Sequence, residues 1–308
     1  MRIENLIEMR NIMISKTAMI TIAGRANVGK STLTNLLTGD KVAIVSPKPQ
    51  TTRNRIFGVF SHGDTQMILL DTPGFHKAKT RLGEYMVGVV RESVADVDVV
   101  ALLVEPIDNI GTQEEMLIKL IEKSGVPAIL VINKIDTVRV DETLPIIERY
   151  SERFNFDAIV PISAKKGDGI SELLDLLEKY AKEGPQLFPD GMTTDQPEKQ
   201  IIAEIIREKL LYCMDLEIPH GTAVEITKFT ERENEDIIDI DATIFCDRKS
   251  HKGMIIGKRG AMLKKIGQYA REDIERFMGA KVFLQTWVKV KENWRDSPGA
   301  LKSLNYRF

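Results

Sequence analysis

Cysteine is scarce in this chain of 308 residues: Cys213 and Cys246 are the only two, and they form no Cys-x-x-Cys pair. That excludes a disulfide framework and a thiolate zinc site, and it fits a reducing compartment. Long hydrophobic runs are missing as well. The longest, Val97 to Val104, is interrupted by Asp98, so no segment is apolar enough to span a bilayer. The first sixteen residues carry Glu4 and Glu8 and no unbroken apolar core, so no secretory leader is expected. The expectation is a cytoplasmic protein, associated with a membrane surface at most. An overall excess of one charge is also lacking, since the formal net charge is −2. Resolved along the chain, that balance disappears. Residues 248–308 hold 15 Lys and Arg against 5 Asp and Glu, whereas residues 197–247 hold 5 against 13. Such asymmetry favours a polyanionic partner such as nucleic acid.

What is present is ordinary globular material, 43% hydrophobic and 29% charged, in a length that suits two domains. Residues 1–16 read as an extension. Residues 17–183 alternate short apolar runs with helical patterns. The runs are 18–23, 66–71, 99–104, 128–133 and 158–162, with a helix from Lys30 to Leu37. Continuous apolar runs of this length predict a mostly parallel, doubly wound sheet covered on both faces, an α/β domain. Residues 184–197, with Pro185, Pro189, Gly191 and Pro197, read as a linker. Beyond it, Ile202, Ile205, Ile206 and Leu210 have helical spacing, while Ile238, Ile240, Ala242 and Ile244 alternate as in a strand. Val282, Leu284, Thr286 and Val288 alternate again, so 198–308 is expected to be a smaller α+β domain.

Gly24-Arg25-Ala26-Asn27-Val28-Gly29-Lys30-Ser31 has the spacing G-x-x-x-x-G-K-[ST] between the first strand and a helix. Gly24 and Gly29 permit a tight path that aims backbone N–H groups at phosphate oxygens. Lys30 adds a point charge for the β- and γ-phosphates, Ser31 a hydroxyl for Mg²⁺, and the helix N-terminus its dipole. Asn133-Lys134-Ile135-Asp136 ends a later strand. An Asp136 carboxylate can accept from both N1–H and the 2-amino group of guanine, an arrangement adenine cannot satisfy. Lys134 can lie over the base, and Asn133 can tie this loop to the phosphate loop. Ser163-Ala164-Lys165 can present a backbone N–H to guanine O6. Asp71-Thr72-Pro73-Gly74 closes the second strand, where Asp71 can hold Mg²⁺ through water and the Gly74 N–H can sense a γ-phosphate. In Gln50-Thr51-Thr52-Arg53 a threonine can close over Mg²⁺; Thr52 is the choice and Thr51 the alternative. Release of both segments on loss of the γ-phosphate would make a switch.

Gly257-Lys258-Arg259-Gly260, within the run 251–267, resembles the G-x-x-G clamp of a KH domain, and its helix and strand order suits type 2. Gly257 and Gly260 let backbone approach phosphates. Lys258, Arg259, Lys264 and Lys265 supply charge. Ile255, Ile256 and Ile266 are expected in the core and groove wall, with Ile256 on the RNA side.

The five nucleotide motifs, in this order, resemble the translation-factor-related GTPases. The Asn-Val-Gly-Lys-Ser-Thr-Leu context, the Gln-Thr-Thr-Arg segment and the KH-like half resemble the Era family from about Lys16 onward. The resemblance implies GTP and GDP as ligands, GTP hydrolysis through Asn27, Lys30, Thr52 and Gly74, and Mg²⁺ at Ser31, Thr52 and Asp71. It implies K⁺ beside Asn27, and binding to the 3′ end of 16S rRNA in assembly and rRNA maturation of the 30S subunit. It further implies a monomer and, in some members, peripheral association with the inner membrane. Two departures stand out: Ala26 replaces the proline more usual there, and Phe75 stands where many GTPases carry a water-positioning glutamine. Slow basal hydrolysis is therefore expected. The competing readings are an RNA-binding protein with a structural nucleotide, and a GTPase docking on anionic lipid.

Overall fold

The computed structural model describes residues 14–46, 48, 50–76, 78–214, 218–233 and 235–306; the extension 1–16 lies almost wholly outside them. By packing, the chain forms two units. The first takes in residues up to 42, 55–75 and 89–195, and the second takes in 43–54, 76–88 and 196–308. The second unit thus includes two short stretches drawn from within the span the sequence assigns to the first domain.

The first unit is built on strands β1 (Lys16–Ala23), β2 (Ile56–His62), β3 (Thr65–Asp71), β4 (Val99–Val104), β5 (Ala128–Ile132) and β6 (Ala158–Pro161). Their order is β2-β3-β1-β4-β5-β6, parallel except for the antiparallel β2–β3 pair. The expected mostly parallel sheet is therefore the one observed. β4 and β5 are buried along their whole length, which is why their sequences carry no polar alternation. Helices α1 (Lys30–Thr38) and α5 (Ile170–Glu178) cover one face, where Leu33, Leu173 and Leu177 join Ala18, Ile20 and Ile22 in one core. On the opposite face the Thr21 hydroxyl donates to the Ser93 carbonyl in α2 (Arg81–Ala95). Helices α3 (Thr112–Ser124) and α4 (Leu144–Arg153) complete the chain order.

The stretch that the sequence reads as a linker is fastened to the first unit. A two-residue strand, β7 (Lys182–Glu183), pairs antiparallel with Lys16 and Thr17 of β1. The Gln66 side chain then accepts from the Leu187 and Phe188 N–H groups and donates to the Phe188 carbonyl at 2.8 Å.

The second unit holds helices α6 (Glu198–Cys213), α7 (Lys249–Ile256) and α8 (Ala261–Met278) against strands β8 (Thr222–Glu231), β9 (Ile237–Cys246) and β10 (Lys281–Val290). The sheet order is β10-β9-β8, with β9 and β10 parallel and β8 antiparallel. Ile202, Ile206, Ile240, Ile244, Ile266 and Ile274 share its core. A short helix, α9 (Pro298–Ser303), follows; its Leu301 packs with Trp294, Tyr306, Leu82 and Met86 in a second cluster. Among the described residues, no helix is long and apolar enough to cross a membrane.

Candidate nucleotide and RNA sites

The phosphate loop is shaped by its own backbone. Gly29 has φ of 102°, a conformation that glycine adopts freely, and it caps α1. The Lys30 ammonium, 5% exposed, donates to the Gly24 carbonyl at 3.0 Å and the Arg25 carbonyl at 2.8 Å, so its charge is held over the loop. Phe75 N–H donates to the Gly24 carbonyl at 3.1 Å and Thr72 Oγ1 to the Ile22 carbonyl at 2.9 Å. These bonds bring the Asp71–Gly74 turn against Gly24 to Ala26. A Cβ at Gly74 would lie 2.7 Å from Ala26 Cα, so the two backbones touch. Pro73 follows Thr72 in the same turn.

Ser31 Oγ donates to Asp71 Oδ2 at 2.7 Å. Asp71 is fully buried, and its other oxygen, Oδ1, has no hydrogen-bonding partner among the described residues. Burial pushes the Asp71 carboxyl up to about 6, against the pull of Lys30 and Ser31. Burial likewise brings Lys30 down to about 8, although the Asp71 charge opposes it. Each charge is thus under-compensated by its neighbours. A phosphate group beside Lys30 and a divalent cation beside Asp71 would relieve both. A hydroxyl and a carboxylate with a spare oxygen are the hard donors that suit Mg²⁺.

The base loop is tied to the phosphate loop as the sequence anticipates. Asn133 Nδ2 donates to the Val28 carbonyl at 2.8 Å, while its Oδ1 accepts from Ala164 N–H at 2.9 Å. One 2% exposed amide therefore joins three loops. Lys134 adopts φ of 66°, and its ammonium donates to the Asn27 carbonyl at 2.7 Å. Asn27 itself has φ of 68°. Ser163 Oγ donates to Asp136 Oδ1 at 2.7 Å, and that bond holds the Asp136 carboxyl below the usual range. Asp136 is therefore ionised and presents the acceptor that guanine requires. Asn133 takes the Ala164 N–H, which precedes Lys165 in this loop.

Glu105, outside every motif read from the sequence, ion-pairs with both Arg25 of the phosphate loop and Lys134 of the base loop. Glu114, 3.0 Å from Arg25 Nε, adds a second carboxylate. A charged residue placed just after an apolar strand, at Val104-Glu105, was the available signal. The segment with Thr51 and Thr52 belongs by packing to the second unit, whereas Ser31 and Asp71 belong to the first. Thr52 is buried, and Thr51 spends its hydroxyl locally on the Lys48 carbonyl at 2.6 Å. Phe75 is buried and apolar, with no group to orient a water.

In the second unit, α7 stops at Gly257 and α8 starts after Gly260. Gly257 has φ of 74°, and a Cβ there would lie 2.6 Å from Met262 Cβ, so only glycine permits this approach. Lys258 and Arg259 are exposed at the turn. A groove of about 490 Å³ runs beside it, lined by Gly260, Leu263, Lys264, Arg271, Leu284 and Thr286 among others. Lys264 faces this groove. Lys265 is absent from its lining; its ammonium lies over the Tyr269 ring at 5.7 Å. Ile255 is core, and Ile256 is half-buried against the same core. Arg271 and Thr286 are groove residues that the motif did not point to.

A strand–loop–helix phosphate site, a guanine-type pocket and a G-x-x-G groove define a GTPase with an RNA-binding module. Comparisons with known proteins agree. A family model described as 50S ribosome-binding GTPase matches residues 19–134, and a KH domain model matches residues 217–295. The chain is 52% identical over 292 residues to GTPase Era of Ruminiclostridium cellulolyticum, covering 95% of this chain and 98% of the relative. It is 48% identical to GTPase Era of Clostridioides difficile, over 94% and 98% of the two chains. Among solved structures, Era in complex with MgGDPNP and nucleotides 1506–1542 of 16S ribosomal RNA has a TM-score of 0.92 at 38% identity, over 96% of this chain and all of that one. An Aquifex aeolicus Era variant bound to GDP and aluminium fluoride has a TM-score of 0.91 at 38% identity, covering 95% of this chain and 100% of that chain.

The chain belongs to the Era family of GTPases.

Proposed function

We propose that the chain is a nucleotide-controlled RNA switch: GTP in the first unit strengthens binding of the 3′ end of 16S rRNA by the second, in assembly of the 30S subunit. One observation carries this reading. Residues 43–54, with Thr52, and 76–88, directly after the Asp71–Gly74 turn, are folded into the RNA-binding unit. Whatever orders these segments around a γ-phosphate acts on the unit that holds the groove.

The residue roles follow from the chemistry described above. Asp136 accepts from guanine, with Ser163 holding it in place and Asn133 tying the base loop to the phosphate loop, and Lys165 N–H donates to O6. Backbone N–H groups from Gly24 to Ser31 and the Lys30 ammonium surround the phosphates. Ser31, Asp71 and Thr52 would hold Mg²⁺, which when bound supplies charge neutralisation at the β- and γ-oxygens. Gly74 N–H reads the γ-phosphate. Asn27, held in a left-handed turn at the phosphates, would offer its side-chain oxygen to K⁺. With Phe75 unable to orient water, hydrolysis rests on positioning and charge stabilisation and is slow until RNA engages. Lys258, Arg259 and Lys264 meet RNA phosphates, and bases lie in the groove against Leu284 and Thr286. The protein works as a cytoplasmic monomer, and anionic lipid is a competitor for the same basic surface rather than a substrate.

The test is GTP turnover in potassium buffer with and without an oligonucleotide copying the 3′ end of 16S rRNA. Stimulation by that RNA and not by a scrambled one is the expected result. Turnover indifferent to RNA would separate the two activities and sink the switch, and loss of stimulation with sodium in place of potassium tests the role of Asn27.

A further inference from the structure

Two arginines in the second unit are almost completely buried: Arg53 at 2% and Arg207 at 1% exposure. Burying a guanidinium is costly, and apolar side chains of the same volume are often the more stable choice. Arg53 has no carboxylate in ion-pair contact among the described residues. Its Nη1 donates to the Thr222 carbonyl at 2.7 Å and to Tyr306 Oη at 3.4 Å, and its Nη2 donates to the His220 carbonyl at 2.9 Å. The guanidinium also lies over the Trp294 ring at 5.7 Å. Arg207, on α6, is held by Glu204, with Nε 2.9 Å from Oε1, and turns its other edge outward to the Gln50 and Thr51 carbonyls. The next residue, Glu208, accepts from Val45 N–H at 3.0 Å.

These contacts bracket Thr52. The carbonyl before it is bound by Arg207 from α6, and the side chain after it is bound to the residues that open β8. Both anchors lead to the RNA groove through covalent or core contacts inside one unit. Thr222 pairs with Cys246 at the end of β9, and α7 with its Gly257 turn starts three residues later. Helix α6 shares its core with Ile266 and Ala270 of α8, the helix that supplies Leu263, Lys264 and Arg271 to the groove. Forked guanidinium bonds fix both position and angle, which a lysine or a hydrophobic contact does not.

We infer that Arg53 and Arg207 are positioning residues that fasten the Thr52 segment to the frame of the RNA groove, so that nucleotide state at Thr52 sets RNA affinity. This rests on the reading of the chain as a nucleotide-controlled RNA switch. It adds which side chains transmit the state, and it separates transmission from binding, since neither arginine is assigned a contact with nucleotide or RNA.

The experiment uses the full chain and a labelled RNA copying nucleotides 1506–1542 of 16S rRNA, with affinity measured in saturating GDP and in saturating GDPNP. The parent protein is expected to show a ratio of affinities of about fivefold or more, the lower end of ordinary coupling. In Arg53→Lys and in Arg207→Lys, which keep the charge and lose the fork, that ratio falls toward one. GDPNP affinity and RNA affinity in the GDP state stay within about twofold of the parent, a split that general loss of structure would not produce. If Arg53→Lys fails to fold, Arg207→Lys alone decides, because its Glu204 partner remains available to the ammonium. Folded variants that keep the parent's ratio overturn the inference and leave the switch intact. A parent ratio of one overturns the switch itself, and the inference with it.

Discussion

The two candidate sites of this protein are built in opposite ways for phosphate-bearing ligands. In the nucleotide site several working groups are buried and held by hydrogen bonds to the surrounding loops: Lys30, Asp71, Asn133 and Ser163 are each at most 5% exposed. Beside the G-x-x-G groove the charged groups stand in solvent, Lys258 and Arg259 on a turn whose path depends on Gly257 and Lys264 on the first turn of α8. A buried, pre-paired site discriminates because a wrong ligand leaves polar groups unsatisfied. An exposed, charged site gains affinity by displacing counterions from a polyanion, with little penalty for sequence. This difference would let one protein be strict about its nucleotide while meeting a large RNA over a shallow surface.

The largest expected effect breaks the strict side. Asp136→Asn replaces an acceptor pair with a mixed donor and acceptor, so GTP affinity should fall roughly 10⁴-fold, as at sites built to pair a substrate hydrogen-bonding group. Xanthosine triphosphate, whose O2 accepts where guanine donates, should gain affinity in the same titration. Retained GTP binding would mean that Asp136 does not touch the base. Lys30→Ala should lower GTP turnover by about 10² to 10³-fold, the usual cost of one preorganised donor to developing charge; phosphate release under single-turnover conditions measures it.

Smaller effects sharpen the comparison. Asn133→Ala leaves the Val28 carbonyl and the Ala164 N–H without their partner, so the protein without nucleotide should lose about 2 kcal/mol of stability. Chemical denaturation with and without GDP would register it, and an unchanged midpoint would show that the loops hold without this amide. The double change Lys258→Ser with Arg259→Ser should weaken RNA binding about tenfold at moderate salt. It should also flatten the logarithmic salt slope by about 1 to 1.4, at roughly 0.7 for each lost contact with a single strand. Its GTP turnover without RNA should match the parent. An unaltered salt slope would place the phosphate contacts elsewhere.

The nucleotide site was more legible in the sequence than the RNA groove, and the reason is locality. Gly24 to Ser31, Asp71 to Gly74 and Asn133 to Asp136 each follow a strand, so a short string carries both the turn and its chemistry. The continuous apolar runs of β4 and β5 announced a sheet buried on both faces. Strand β2 escaped because Gly58, Ser61 and His62 interrupt its pattern, and it packs as an antiparallel edge where fewer side chains must be apolar. Arg271 and Thr286 escaped because groove residues come from the faces of α8 and β10 and form no contiguous motif. Glu105 reaches Lys134 across 29 residues of chain, and Arg53 reaches Thr222 across 169. No local pattern encodes such pairs, and they surface only when the fold closes.

The division at 184–197, so clear in composition, is a poor place to cut the protein. A fragment ending there keeps β7 on β1, yet it strips Leu82 and Met86 of the Trp294, Leu301 and Tyr306 side chains that cover them. The same cut removes every acceptor named for the Arg53 guanidinium. Such a fragment would expose a greasy patch beside an orphaned cation and tend to self-associate. The second unit is discontinuous in sequence, so its side chains lie on both sides of that cut and no single cut there can release it whole.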